Sequence, residues 1–552
     1  MLKDLSVYVV TWNVCGQQPV EDLHSLLHLP NDSCSLESLP HLYAISDSDN
    51  SDVEYEPMES DNETIDSYES DDVLSEHEDD SVMLSDSWKR IADIFSDCRP
   101  NSLPELVRNF SGINPALNCN ANNSILENFK NLQEVNSQPQ NMFLDMLFND
   151  PWTQAFTNLL KKYNYMRLKI ERLQGIMLMI FIKRDLITHI TGLETEFTRV
   201  GLGGMWGNKG AVSIRFNING CSVCLINSHL SAHLDEIEKR INEYSLILDG
   251  QSFNDPQTEH IITHDYVFWC GDLNFRIQDL TAEKVNALIH SKKFEKLLEY
   301  DQLRKVMKSG DAFSEFKEAD PTFPPSYKLI VNRNEYDLNR VPSWTDRIMH
   351  RLTPNAYDGV LLETKQLDYR SHLSYKQSDH KPVSSHFIIK VFDKITDALV
   401  QFYSIDNWWT NTDNVAFYKI ANHFKPTNYD WIGLYKHDFM SVNEYLCYIW
   451  APHKPISNHE ANNESNSSEV SVSQQRDSML PVYRAVITDQ SVILPGRYRL
   501  AYISTKSMNV LGVSEPFEVA SRAVFPKRFT LRRKMPGTGV TLQFFRMINR
   551  II

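Results

Sequence analysis

The 552-residue sequence lacks disulfide-like cysteine spacing: its eight cysteines are scattered, which argues against a disulfide-stapled secreted domain. No apolar run reaches eighteen residues, so there is no candidate transmembrane helix, and Met1-Leu2-Lys3 opens no secretory signal. A reducing, cytoplasmic setting is the expectation. Lys and Arg are missing from residues 47 to 86, where Asp and Glu occur 17 times. The formal net charge of the whole chain is also -17, so this segment carries the acidic excess and the remainder is near neutral. A near-neutral remainder excludes an extended basic footprint for duplex DNA but leaves room for a compact anionic substrate.

Hydrophobic residues make up 42% of the chain, with 10 Trp and 27 Phe, as in an ordinary globular protein of two to four domains. Leu5 to Trp12 (LSVYVVTW) predicts a buried strand ending at Asn13. From about 31 to 123 the sequence is rich in Ser, Asp, Glu and Asn, and cannot bury enough apolar surface to offset its ordering entropy. A disordered insertion is expected there, with one short helical pattern at 85 to 95. Asp150-Pro151 reads as an N-cap followed by proline at the first helical position. Gly175 to Lys183 is a continuous apolar strand, and Asn219-Gly220 joins two alternating strands in a hairpin. Leu234, Ile237, Ile241, Tyr244 and Leu248 mark one face of an amphipathic helix. Mixed strands and helices predict an α/β fold of layered sheets flanked by helices. Beyond Asp393 the strands are short and aromatic, predicting a small all-β sandwich over 393–520, followed by a basic tail over 521–552.

The chemistry centres on Trp269-Cys270-Gly271-Asp272-Leu273-Asn274-Phe275-Arg276. Cys270 and Arg276 have the C-x5-R spacing of a thiol phosphatase, but Asp272 inside the loop would repel a phosphate dianion. The other reading puts Gly271-Asp272-Leu273-Asn274 at a strand's carboxyl end, where Asp272 can activate a water and Asn274 can hold a phosphoryl oxygen. Asn13, Gln133-Glu134, Asn227-Ser228-His229 and Ser378-Asp379-His380 supply further amides, carboxylates and imidazoles near strand ends. Such a set suits a hard divalent cation and an in-line water attack. Cys221 and Cys224 form a C-x-x-C, but their apolar flanks favour core packing over metal binding.

With these residues in view, the chain resembles the inositol polyphosphate 5-phosphatases of the endonuclease/exonuclease/phosphatase superfamily. WCGDLNFR and PSWTDRI (342–348) match the signature pair, and TWNV, LQEVNS, TRVGLGGMWGNKGAVSIR, NSHLSAH and SDHKPV match in order across residues 5 to 392. The resemblance implies a four-layer α/β/β/α sandwich, DNase I-like, over 1–392. It implies Glu134 and Asn13 as Mg2+ ligands, Asp272 as water activator, Asn274 as a phosphate contact, and His380 as transition-state stabiliser oriented by Asp346. Asp379 and His229 would complete the phosphate and metal shell. Tyr327, Lys328 and Arg340 would grip the 4-phosphate of a phosphoinositide headgroup, Asn208-Lys209 would face the 1-phosphate, and Arg347 is a further candidate substrate contact. Leu338-Asn339 stands where close relatives often carry another basic residue, which weakens the expected 4-phosphate grip.

YSIDNWWTNTDNVAFYKI, DWIGLYK, YIWAP, LPGRYRLAYIS and GVSEPFEV resemble the SKICH domain, an immunoglobulin-like module that implies targeting to membrane or to a protein partner. The function implied is Mg2+-dependent 5-phosphate hydrolysis in the cytoplasm with recruitment to membranes. A nuclease of the same superfamily and a catalytically impaired scaffold are the alternatives. The acidic insertion reads as a linker, a phosphorylation target or a polyanion covering the basic cleft.

Overall fold

The computed structural model describes residues 2–30, 38–48, 150–201, 204, 206–393, 398–405, 408–452, 454–456, 481–488, 491–505 and 509–521. Glu134, the helical pattern at 85 to 95 and the basic tail lie outside the described residues.

Two mixed sheets form the first part of the chain. The larger contains β1 (Leu2–Asn13), β2 (Leu42–Ser48), β3 (Tyr165–Leu173) and β4 (Ile176–Lys183). The smaller contains β5 (Ile190–Gly201), β6 (Trp206–Ile218), β7 (Cys221–His229), β8 (Tyr266–Asp272) and β9 (Asp346–Leu352). The chain then returns to the larger sheet as β10 (Thr364–Ser371) and β11 (Val383–Phe392). The strand orders are β10-β11-β1-β2-β4-β3 and β5-β6-β7-β8-β9. β1 runs parallel to β2 and β7 parallel to β8; the other pairs are antiparallel. Helices α1 (Pro151–Lys161), α2 (Ile237–Gly250), α3 (Ala282–His290), α4 (Phe294–Leu298) and α5 (Gln302–Ser309) complete this part.

Alternation along the strands builds three cores. Leu5, Val7 and Val9 of β1 meet Val212, Ile214 and Phe216 of β6 and Tyr266, Phe268 and Cys270 of β8, so one core lies between the sheets. The opposite parity of the larger sheet (Tyr8, Val10, Trp12, Tyr43, Met179) packs with Trp152, Phe156 and Leu160 of α1. That of the smaller sheet (Cys224, Ile226, Val267, Trp269) packs with Tyr244 and Ile247 of α2 and with Leu303 and Val306 of α5. Each such large side chain contributes roughly 1.5–3 kcal/mol on burial.

The local signals act as their chemistry demands. Asp150 caps α1 by accepting the Thr153 amide at 2.7 Å, with Pro151 opening the helix. Asn219 and Gly220 take positive φ values of 49° and 79° in the β6–β7 turn. Ile237, Ile241, Tyr244 and Leu248 of the expected face pack on the core between α2 and the smaller sheet, while Leu234 lies before α2 and is exposed; Arg240 and Glu243 of α2 are buried as well. Arg240 donates to the Ser231, His233 and Leu234 carbonyls and to Gln302; Glu243 accepts from Ser231, and these bonds make their burial tolerable. Cys221 and Cys224 are buried in different cores, so the two thiols of the C-x-x-C do not converge on one point. Leu42 to Ile45, which by the resemblance read as the first half of a strand completed by Asn131 to Glu134, open β2, and the strand continues through Ser46, Asp47 and Ser48.

Residues 398–520 form two further sheets sharing one core. β12 (Val400–Phe402), β14 (Asn414–Ile420) and β17 (Val482–Ile487) make the smaller. The larger is ordered β13 (Trp408–Trp409), β20 (Phe517–Ala520), β18 (Gly496–Ser504), β15 (Trp431–Lys436), β16 (Cys447–Trp450), with β19 (Asn509–Val513) on β18. Trp408, Tyr418, Tyr483, Tyr498, Tyr502 and Phe517 are core, whereas Trp409, Tyr429 and Trp450 are exposed, so only part of the aromatic density that marks this region in the sequence is core packing. Among the described residues, no helix is long and apolar enough to cross a membrane.

Candidate functional site

β7, β8 and β9 deliver His229, Asp272 and Asp346 side by side, because His229 is in register with Asp272 and Asp272 with Asp346. Gly271 makes this approach possible. At its φ of 134°, an added Cβ would lie 2.0 Å from the Ser228 carbonyl oxygen. β1 brings Asn13 from the facing sheet, and its Nδ2 donates to Asp272 Oδ2 at 3.0 Å. The segment before β11 brings His380, held by the Trp12 indole donating to its carbonyl and by Ser378 donating its hydroxyl to the Asn13 carbonyl.

Asp272 is the hub. His229 Nε2 lies 3.5 Å and His380 Nε2 3.9 Å from its Oδ2, and its Oδ1 accepts the Asn274 amide. Asn274, at φ 55°, donates its Nδ2 to the Leu230 carbonyl at 2.9 Å and accepts from Arg276 on Oδ1. Asp346 Oδ2 sits 2.9 Å from His380 Nδ1 and accepts the hydroxyls of Ser326 and Thr345.

Two buried imidazoles titrate in opposite directions. Burial, helped by Lys209, pushes His229 down to about 3, so it is neutral. Burial also opposes charge on His380, but Asp346, Asp272 and Asp379 outweigh it and push His380 up to about 9. Cys270 is buried against Ser46 and the Ile226 carbonyl, and burial pushes its thiol up to about 12. No thiolate nucleophile exists here.

Ligand atoms of Asp272, Asp346 and His380 all lie within 4.8 Å of one another. The second oxygen of Asp346, Oδ1, is buried and accepts no hydrogen bond among the described residues. With the Asp272 carboxylate and the Asn13 amide, this is an oxygen-rich donor set that fits a hard divalent cation.

The remaining candidates divide. Tyr327, Arg340 and Asn339 line a pocket beside the cluster together with Arg276 and His233. The Tyr327 ring lies 4.4 Å from His380 and carries the Arg276 guanidinium 4.5 Å above it. Lys328 faces Asp379 at 3.8 Å. Asn208 is half-buried, and Lys209 reaches His229 Nε2 at 2.9 Å, against the Asp272 cluster itself. Arg347 is fully buried, bonded to both oxygens of Asp301 and to Glu318 at 2.6 and 2.7 Å, so the structure shows it in an internal ion-pair network. Arg276, Ser326 and Thr345 are site residues that the sequence reading missed. Arg276 ends the WCGDLNFR motif, where its C-x5-R spacing from Cys270 points to a thiol phosphatase instead.

A family model described as Endonuclease/Exonuclease/phosphatase family 2 matches residues 107–386, and a SKICH domain model matches residues 400–519. The chain belongs to the endonuclease/exonuclease/phosphatase family, among the inositol polyphosphate 5-phosphatases, and carries a SKICH domain. Phosphatidylinositol 4,5-bisphosphate 5-phosphatase A of Mus musculus is 34% identical over 402 residues, covering 70% of this chain and 38% of its own length. Inositol polyphosphate 5-phosphatase K of Mus musculus is 32% identical over 421 residues, covering 73% of this chain and 85% of its own. The chain thus spans well under half the length of the first of these relatives. A solved structure of the inositol polyphosphate 5-phosphatase domain of Spsynaptojanin, in complex with inositol (1,4)-bisphosphate and calcium ion, has a TM-score of 0.47 and 25% identity over 71% of this chain and 86% of its own.

Proposed function

We propose that the chain hydrolyses the 5-phosphate of phosphoinositides, phosphatidylinositol 4,5-bisphosphate and the 3,4,5-trisphosphate foremost, in the presence of Mg2+. The observation that carries this reading is the buried Asp272 cluster opening beside a pocket that offers Arg276, Tyr327 and Arg340 to a neighbouring phosphate. The relatives named as 5-phosphatases support it. In this reading residues 1–392 are the catalytic domain, a DNase I-like four-layer sandwich, and 393–520 an immunoglobulin-like targeting module.

Asn13, beside Asp272, and, on the resemblance of LQEVNS, Glu134 are the residues that would hold Mg2+. When bound, the ion neutralises charge on a phosphoryl oxygen. Asp272 takes a proton from a water, whose oxygen attacks phosphorus in line with the ring 5-oxygen. The new P–O bond forms as the old one breaks; the ring oxygen leaves and takes up a proton from solvent, and inorganic phosphate is released. His380, charged through Asp346, donates from Nε2 to a phosphoryl oxygen as charge develops. Asn274 uses one Nδ2 hydrogen on Leu230 and keeps the other for the phosphate. Lys328 and Arg340 select for the adjacent 4-phosphate, and Lys209 with His229 closes the phosphate shell.

The test is phosphate release from phosphatidylinositol 4,5-bisphosphate vesicles with Mg2+, set against nicking of an abasic duplex. Release that stops with chelator and falls by several powers of ten in Asp272→Asn is expected, with no nicking. Nicking without phosphate release would make the chain a nuclease instead.

A further inference from the structure

The site sits where β1, β7 and β8 end. At the other pole of the same sheets β4 ends, with Lys183 in register with Tyr165 at the start of β3, and β11 ends at Phe392 opposite Leu2. The chain therefore passes into the C-terminal sheets from the pole that faces away from Asp272.

Those sheets also pack back onto that pole. The Arg184 guanidinium donates to the Phe439 carbonyl at 2.6 Å and lies 4.9 Å over the Phe439 ring. One main-chain hydrogen bond crosses the boundary, from the Arg167 amide to the Met440 carbonyl at 2.7 Å. Lys161, at the end of α1, meets Asp438 at 2.7 Å. Tyr435, Phe439, Ala501, Ile503 and Val510 belong to the same core as Ile187 and Ile190, and β19 packs on the 3-10 turn Arg184–His189 and on β5. Burial, with Arg499 nearby, pushes Arg184 down to about 10, so at neutral pH it is a charged group sealed against an aromatic ring and a carbonyl.

Interfaces between independently moving domains of one chain are polar and readily parted. This one shares an apolar core, holds a half-buried guanidinium against a ring and a carbonyl, and joins main chain to main chain. We propose that it is a permanent lock, which makes the C-terminal domain a fixed part of the molecular body, held at the pole opposite the active site. The seven residues of β8 alone span about 23 Å at roughly 3.3 Å per residue, so the two poles, and with them the docked face and the reacting cluster, are separated on that scale. On the phosphatase reading the substrate bilayer faces the site, and the C-terminal domain reaches its own ligand on the opposite side. The lock itself is independent of that reading.

Zero-length carbodiimide cross-linking of the full chain, mapped by peptide mass spectrometry, tests it. Lys161–Asp438 spans the boundary, while Lys390–Asp4 lies within one sheet at the same 2.7 Å and with comparable exposure, and serves as the reference. Both cross-links are expected within about twofold of each other. Recovery of Lys390–Asp4 alone would overturn the lock. In Arg184→Ala with Phe439→Ala, the boundary cross-link is expected to fall fivefold or more while the reference is unchanged and turnover of a soluble inositol phosphate is retained. An undiminished boundary cross-link would remove Arg184 and Phe439 from the lock. These results read out whether or not the chain proves to be a phosphatase.

Discussion

Asp346→Asn isolates one charge in the site. His380 is only 4% exposed, and burial by itself pushes an imidazole down, as the fall of its neighbour His229 to about 3 shows. His380 stands instead near 9, with Asp346 the largest favourable influence at 2.9 Å. Asparagine keeps the shape, and its oxygen still accepts from Ser326 and Thr345, but the charge is gone. Without it the desolvation of His380 prevails and its pKa drops below 6.5. The fall from about 9 to below 6.5 removes more than about 3 kcal/mol of preference for the imidazolium, and at pH 7.5 the charged fraction goes from about 97% to about 10% or less. Turnover of a soluble inositol phosphate from pH 5.5 to 10 gives the first readout, and imidazole NMR of His380 gives the second. The native profile falls as pH rises through about 9; in Asp346→Asn that limb moves below 6.5 and the rate at pH 7.5 drops at least tenfold. The sign for stability is the same. A folded pKa raised above the unfolded value stabilises fully below about 6.5 and loses that contribution as pH rises through about 9. The variant lacks this pH-dependent contribution. An alkaline limb that stays in place in Asp346→Asn refutes the assignment of His380 as the charged partner.

Arg347→Met leaves Asp301 and Glu318 buried without their cation, a loss of about 3–5 kcal/mol. Calorimetry should show a lower Tm with KM unchanged in the folded fraction, whereas a raised KM at native Tm would restore Arg347 as a substrate contact. Cys270→Ser keeps a hydrogen-bonding group between Ser46 and the Ile226 carbonyl, and the rate should stay within twofold. An inactive but folded Cys270→Ser would return the thiol to the chemistry. Gly271→Ala forces a methyl into the Ser228 carbonyl oxygen, and a loss above about 4 kcal/mol is expected; a stable, active Gly271→Ala would mean that β7 and β8 do not meet so closely.

Strands were legible wherever one face is apolar, because period-two burial leaves a direct trace: LSVYVVTW became the centre of a sheet, and Asn219-Gly220 its expected turn. Arg240, Glu243 and Arg347 were not legible. A charged residue in sequence suggests solvent or substrate, and only the fold shows that Asp301 and Glu318, 46 and 29 positions from Arg347, turn toward it. The site was legible in parts. Asp272 and Asn274 share one motif, but Asn13 and His380 are separated from it by more than a hundred residues, and spacing alone does not join them. The resemblance did so. Arg276 was visible, yet its role depends on Asn274 adopting a left-handed backbone and on Tyr327 lying beneath it, which no pattern of residue types encodes.

The convergence of the site follows from the sheet topology. β7 runs parallel to β8, so His229 and Asp272 end together; β9 is antiparallel to β8, so its first residue, Asp346, lies beside the last of β8. The same logic holds in the facing sheet. β11 is antiparallel to β1, and the segment that carries His380 into β11 therefore stands beside Asn13, the last residue of β1. Each group needs only to sit where its strand stops or starts, and the packing of the two sheets brings Asn13 against Asp272. β2 obeys the rule as well: it is parallel to β1 and ends with Ser48 in register with Asn13. The chain thus leaves β2 for its acidic stretch at the rim that holds the site, and the C-terminal domain occupies the other rim. A strand-end site needs one free rim, and this arrangement keeps the docked domain off it.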